Sequence, residues 1–248
     1  MRFHLKSIVA VFALIVAASP MAGAVDLISN GGFEIATGTG QLVGTSVTNW
    51  SSSSGFPYNF LLDGNADFTG FSASTGGAPS QLHLAGPNST PSSNNGFMPS
   101  PDGGNFFGAQ VGFQVGSFSQ TVGGLTPGTD YELSFYWAEA NLTGNSAPTT
   151  SAWSISFGSE SGSTVGTQIA SNGFNGWLNY TQTFTASSAS QVLSFSPTGT
   201  GTGGFALLDG VRMQEVTIPV PEPSTYALAA IATGVMAAVA RRRKARTA

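Results

Sequence analysis

The sequence predicts an all-β fold, a sandwich or jelly roll, over residues 25–218. Short runs rich in Val, Phe, Tyr, Thr and Ser alternate with Gly, Pro, Asn and Asp punctuation. No window sustains a 3.6-residue apolar period, so no helix competes for this segment. About eleven such runs follow one another at short spacing, the pattern of packed antiparallel sheets.

The first predicted strand is Asp26–Phe33, and the second, Phe56–Leu62, stops at Asp63-Gly64-Asn65, which has turn chemistry. Gln81–Ala85 alternates Leu82 and Leu84 around His83, which places the imidazole on the solvent face. From Gly86 to Gly104 the chain holds Pro, Ser, Asn and Gly and offers little to bury, so a long surface loop or mobile flap is expected. Asn105–Ala109 and Gly116–Val122 come next, then the turn Leu125-Thr126-Pro127-Gly128-Thr129-Asp130, with Pro127 preset for its first central position. The clearest strand is Tyr131–Ala138: its two-residue period puts Tyr131, Leu133, Phe135 and Trp137 on one core face. Ala152–Phe157, Thr167–Ala170, Trp177–Thr185, Val192–Ser196 and Phe205–Met213 complete the set.

Both ends of the chain have the composition of addresses. Residues 1–24 combine Arg2 and Lys6, an apolar core from Ile8 to Ala18, and small residues at Ala22 and Ala24, which predicts a signal peptide cleaved before Val25. Residues 219–248 hold a Pro221-Glu222-Pro223 box, an uncharged run from Tyr226 to Ala240, and the basic tail Arg241, Arg242, Arg243, Lys244 and Arg246. The 15-residue run rises about 22 Å as a helix, against a hydrocarbon core of roughly 30 Å. It is therefore expected as a short, marginal transmembrane helix whose cations stay cytoplasmic. In this order the three parts resemble the PEP-CTERM sorting signal of Gram-negative bacteria, which implies recognition and removal by an exosortase-type transpeptidase.

Of the eight Lys and Arg, two lie in residues 1–24 and five in 219–248, leaving Arg212 alone against eleven of the twelve Asp and Glu. A domain of formal charge 1 − 11 = −10 cannot neutralise phosphates, so nucleic acid is excluded as a partner. The chain has no cysteine, which excludes disulfides, thiolate catalysis and Cys-ligated metals.

Leu27-Ile28-Ser29-Asn30-Gly31-Gly32-Phe33-Glu34 opens the domain and Phe205–Met213 closes it. With Phe118-Ser119-Gln120-Thr121-Val122, Leu125–Gly128 and Trp177–Tyr180 between them, the set resembles the galactose-binding-like jelly roll of many carbohydrate-binding modules. That resemblance implies a structural Ca²⁺ near Glu34 and Asp209, where carbonyls of the Gly-rich turn would complete an oxygen shell. It also implies a sugar platform, for which Trp50, Tyr58, Tyr136 and Trp153 are the candidate aromatics, although most aromatics of such a sandwich belong to its core. Asp63 and Asp67 could be imagined as a glycosidase pair, but turn chemistry explains them better, and no nucleophile elbow or clustered metal-ligating His is present. The expectation is thus a non-catalytic protein exported by Sec, passing the inner membrane to the cell surface or extracellular matrix, with a jelly roll that binds polysaccharide. A structural or adhesive matrix protein without a sugar ligand, and a secreted hydrolase with an unrecognised site, are the alternatives.

Overall fold

The computed structural model describes residues 25–42, 46–53, 58–68, 70–73, 80–113, 115–217 and 223–245. The signal peptide, residues 56 and 57 of the second predicted strand, Pro221, Glu222 and Arg246 lie outside the described residues. Thirteen strands are described: β1 Gly40–Gln41, β2 Ser51–Ser52, β3 Asn59–Asp63, β4 Phe71–Ala73, β5 Ser80–Leu82, β6 Asn105–Gln110 and β7 Phe118–Gly123. They continue with β8 Asp130–Asn141, β9 Thr150–Phe157, β10 Glu160–Ser163, β11 Leu178–Thr185, β12 Ser190–Thr200 and β13 Gly204–Glu215. Two antiparallel sheets make a jelly-roll sandwich, six-stranded in the order β1-β3-β6-β13-β8-β11 and five-stranded in the order β10-β9-β12-β7-β2, while β4 and β5 pair separately.

The sandwich is organised around aromatic side chains. Between the sheets, Phe33, Trp50, Phe107, Phe118, Phe135, Trp153 and Phe195 are buried in one cluster. Phe107 stacks on Phe118 at 4.0 Å, and Trp153 donates its indole N–H to the Leu207 carbonyl at 2.9 Å, so even the polar edge of that ring is satisfied. As expected, Tyr131, Leu133, Phe135 and Trp137 all face this core.

A second core lies on the other side of the six-stranded sheet. Phe60, Leu62, Phe106, Phe205 and Leu207 point outward there and are covered by Phe71, Leu84 and Phe97. Burial on both faces explains why β3, β6 and β13 read as near-continuous apolar runs rather than alternations. Residues 86–104 form no strand and are mostly exposed, the long surface loop expected there, and this packing ties the loop down at several points. Phe97, Ser89 and Ser100 are buried, and Asn95 donates to the carbonyls of Ala85 and Asn172.

Two predicted strands are not formed. Residues 26–33 are not a strand because Asn30 and Phe33 adopt left-handed φ values of 55° and 60°, although Leu27 still donates its N–H to Met213. Within Thr167–Ala170 the pairing reduces to a single bridge between Thr149 and Ile169.

The C-terminal helix α1, Pro223–Lys244, is exposed at nearly all its described side chains, Leu228 being half-buried. Among the described residues no helix is long and apolar enough to cross a membrane, so the short transmembrane helix expected there is not shown. Its 22 residues include a Pro-Ser-Thr start and four terminal cations, so its uncharged stretch is short and built mainly from alanine.

Candidate functional site

The two ends of the domain are clipped together. Asp26 Oδ1 accepts the N–H groups of Ile28 and Met213, both at 3.0 Å, and Gly31 accepts the N–H of Val211 at 3.0 Å. A Cβ on Gly31 would collide with the Val211 carbonyl oxygen, so glycine is required for the opening turn to lie against β13.

Glu34, Asp102 and Asp209 face this clip from three segments. Glu34 is exposed, and its Oε1 accepts the Asn105 N–H at 2.8 Å beside Gly104, whose positive φ of 66° lets the carboxylate approach. Asp102 accepts Arg212 at 2.8 Å, and its other oxygen lies 2.7 Å from the place a Gly32 Cβ would take. Asp209 is fully buried at a bulge of β13: Oδ1 accepts the Gly210 N–H at 2.7 Å, and Oδ2 has no hydrogen-bond partner. Burial pushes its carboxyl up to about 8, opposed by the nearby Ser100 side chain and by the Gly210 N–H, and the negative charges of Asp102 and Glu34 add to the rise. A cavity of about 170 Å³ opens beside Asp26 and Asp102, floored by Gly31, Gly32 and Gly210.

A buried carboxylate with an orphaned oxygen and two acidic neighbours suits a hard cation such as Ca²⁺. Among the described residues no three Asp, Glu, His or Cys side chains gather closely enough to hold a metal by themselves. An ion here would therefore take main-chain oxygens as well, as the Gly-rich approach permits. Asp102 escaped the sequence reading. It lies 110 residues from Arg212 in a loop without periodicity, and only its place before Gly103-Gly104 marks it.

The four candidate aromatics are not brought together. Trp153 is wholly buried and Trp50 nearly so, the latter stacked on Phe118 at 4.8 Å with its indole N–H on the Asn30 carbonyl. Neither presents a ring face to solvent, which corrects their assignment as sugar platforms. Tyr58 and Tyr136 are half-buried, Tyr58 just before β3 and Tyr136 in the middle of β8, with β6 and β13 between them; Tyr58 stacks on Phe113 at 4.5 Å and Tyr136 lies close over Gly210. Asp63 Oδ1 accepts the Asn65 N–H and Asp67 Oδ2 the Asn88 N–H, the turn and loop roles expected of them.

A groove of about 630 Å³ opens at the β2 edge of the five-stranded sheet. Its lining includes Leu27, Ser29 and Asn49 as well as Ser51, Ser119, Thr121 and Val192. Gln120, also in the lining, makes two hydrogen bonds with the main chain of Ser29, at 2.8 and 2.9 Å. None of these residues is ionisable. The hydroxyls of Ser51, Ser119 and Thr121 have no protein partner among the described residues.

Residues 219–244 match the PEP-CTERM protein-sorting motif, as the Pro221-Glu222-Pro223 box led us to expect. No curated protein matches the chain by sequence. Among solved structures the chain is similar to the carbohydrate-binding module TmCBM61 in complex with β-1,4-galactotriose, at 14% identity and a TM-score of 0.41, over 78% of this chain and 100% of that one. It is also similar to the CBM22-1 xylan-binding domain of Paenibacillus barcinonensis Xyn10C, at 12% identity and a TM-score of 0.38, over 79% of this chain and 97% of that one.

Proposed function

We propose that this chain is an exported polysaccharide-binding protein of a Gram-negative cell surface or extracellular matrix, without catalytic activity. It leaves the cytoplasm through Sec, is held at the inner membrane in transit, and is released from its tail by an exosortase-type transpeptidase. The observation that carries this reading is the sorting motif at residues 219–244, which directs the β-sandwich to the outside of the cell. The uncharged, hydroxyl-rich groove supports a polysaccharide ligand, because its groups match those of a neutral sugar and include no acid or base.

Ca²⁺ is assigned a structural place. Asp209 and Glu34 would hold it, with Asp102 beside them, and the ion would fasten the opening turn to the last strand by supplying the charge that the buried carboxylate lacks. Titration of EDTA-stripped protein with Ca²⁺, followed by calorimetry and thermal melting, tests this: heat and a raised Tm are expected, and the absence of both sinks the metal. Intact-mass spectrometry of the exported protein tests the sorting. A C-terminus near Pro221 is expected; mature protein that still ends at Ala248 overturns processing.

A further inference from the structure

The strand registers place serines in a row that crosses the whole five-stranded sheet. Ser51 pairs with Ser119, Ser119 with Ser194, Ser194 with Ser156, and Ser156 with Ser161. Directly opposed residues in a ladder share a face. Their chain neighbours Phe118, Phe195, Ile155 and Phe157 are buried in the core, so the row is on the outer face, where each serine is exposed or half-exposed. At about 4.8 Å between strands the row runs about 19 Å, further than a single sugar ring. Two residues along lies a second row, Ser196, Ser154 and Ser163. On the other side Thr121 faces Val192.

This face has no ionisable side chain at any of these positions, although the domain around it carries a formal charge of −10. Its small side chains leave it flat, and it runs without interruption into the groove through Ser51, Ser119 and Thr121. Much of the outer face of the six-stranded sheet is occupied by the second core, so the serine face is the broad open one.

We propose that this face, entered from the groove at its β2 edge, is the glycan-binding surface, and that its ligand is a neutral, extended polysaccharide. The inference rests on the reading that the domain binds polysaccharide, and adds the site and the ligand class. Single hydroxyl contacts merely exchange water for sugar and are weak, so a monosaccharide is poorly held. A polymer repeats the contact along the row and gains from effective concentration. An anionic polymer meets an acidic domain with no cation on this face and is repelled.

Affinity electrophoresis through gels containing galactan, xylan, mixed-linkage glucan, dextran or alginate tests it. Wild-type protein is expected to be retarded by at least one neutral polymer and not by alginate. The triple variant Ser119→Val, Ser156→Val, Ser194→Val removes hydroxyls with side chains suited to strands, and is expected to bind at least tenfold more weakly, as is Thr121→Glu in the groove. Thr181→Val with Thr183→Val, exposed on β11 of the other sheet, is expected to bind as wild type, with all variants checked by thermal melting. Retardation of wild type by no polymer would sink the polysaccharide reading and this inference with it. Unchanged retardation of both face variants would sink the site alone and leave the reading standing. Retardation by alginate only would overturn the ligand class.

Discussion

Asp209 concentrates the chemistry of the clip in one carboxyl group. In the unfolded chain it ionises near 3.8, whereas in the folded protein burial holds it protonated up to about 8. Between those values the unfolded state binds fewer protons, so in EDTA the stability contributed by this group falls as pH rises, by at most about 1.4 kcal/mol per pH unit. Melting EDTA-treated protein from pH 4 to pH 8 is expected to show that decline, with Asp102, Glu34 and Arg212 as its charged neighbours. Saturating Ca²⁺ is expected to flatten it, because the cation favours the ionised form. Asp209→Asn removes both the decline and the Ca²⁺ response, and an unchanged pH profile in that variant would refute the assignment. Glu139 makes a contrast. It too is fully buried and raised by desolvation, yet its oxygens accept the N–H groups of Ser151 and Thr167, and Asn175. Glu139→Ala strands those donors and leaves a hole, so a loss of about 3 kcal/mol is expected in urea unfolding, with no change in Ca²⁺ affinity.

The strands divide by how many faces they bury, and this decides both their stability and how readily they are read. Phe205 of β13 packs outward against Phe60 and Phe71, whereas Phe195 of β12 packs inward against Phe135 and Trp153. If the covering loop forms a true second core, Phe205→Ala and Phe195→Ala should each cost about 3–5 kcal/mol in equilibrium unfolding. A loss under about 1 kcal/mol for Phe205→Ala would mean that the cover is loose. The long strands were legible because an alternating or continuous apolar run is a local signal, as in β8. β1, β2, β4 and β10 have two to four residues each and little apolar character, so only pairing with longer neighbours makes them strands. Leu27 and Ile28 suggested a strand that the left-handed Asn30 and Phe33 forbid. Glu34 and Asp209 were pointed to only by what the resemblance of the opening and closing segments implies. Asp102 and the serine row were not, since a cross-strand row arises from register and leaves no mark on any single segment.

Charge is partitioned along the whole molecule. After loss of residues 1–24, the remaining chain has six Lys and Arg against twelve Asp and Glu, a formal charge of −6; without residues 219–248 it has one against eleven, or −10. The five tail cations face an acidic domain, and attraction between the tail of one molecule and the domain of another acts over roughly the Debye length, about 8 Å at physiological ionic strength. Unprocessed protein is therefore expected to associate at low salt and disperse as salt rises, whereas the processed domain, of one sign of charge, repels its copies most at low salt and does not associate there. On an anion exchanger the processed form should elute at distinctly higher salt. Replacing Pro221 and Pro223 by alanine removes the prolines of the sorting box that a transpeptidase would read, and should convert the exported pool to the earlier-eluting, self-associating form. If both prolines can be lost and the pool still elutes late with a truncated C-terminus, cleavage does not depend on the box, and the helix with its basic end must carry the signal alone.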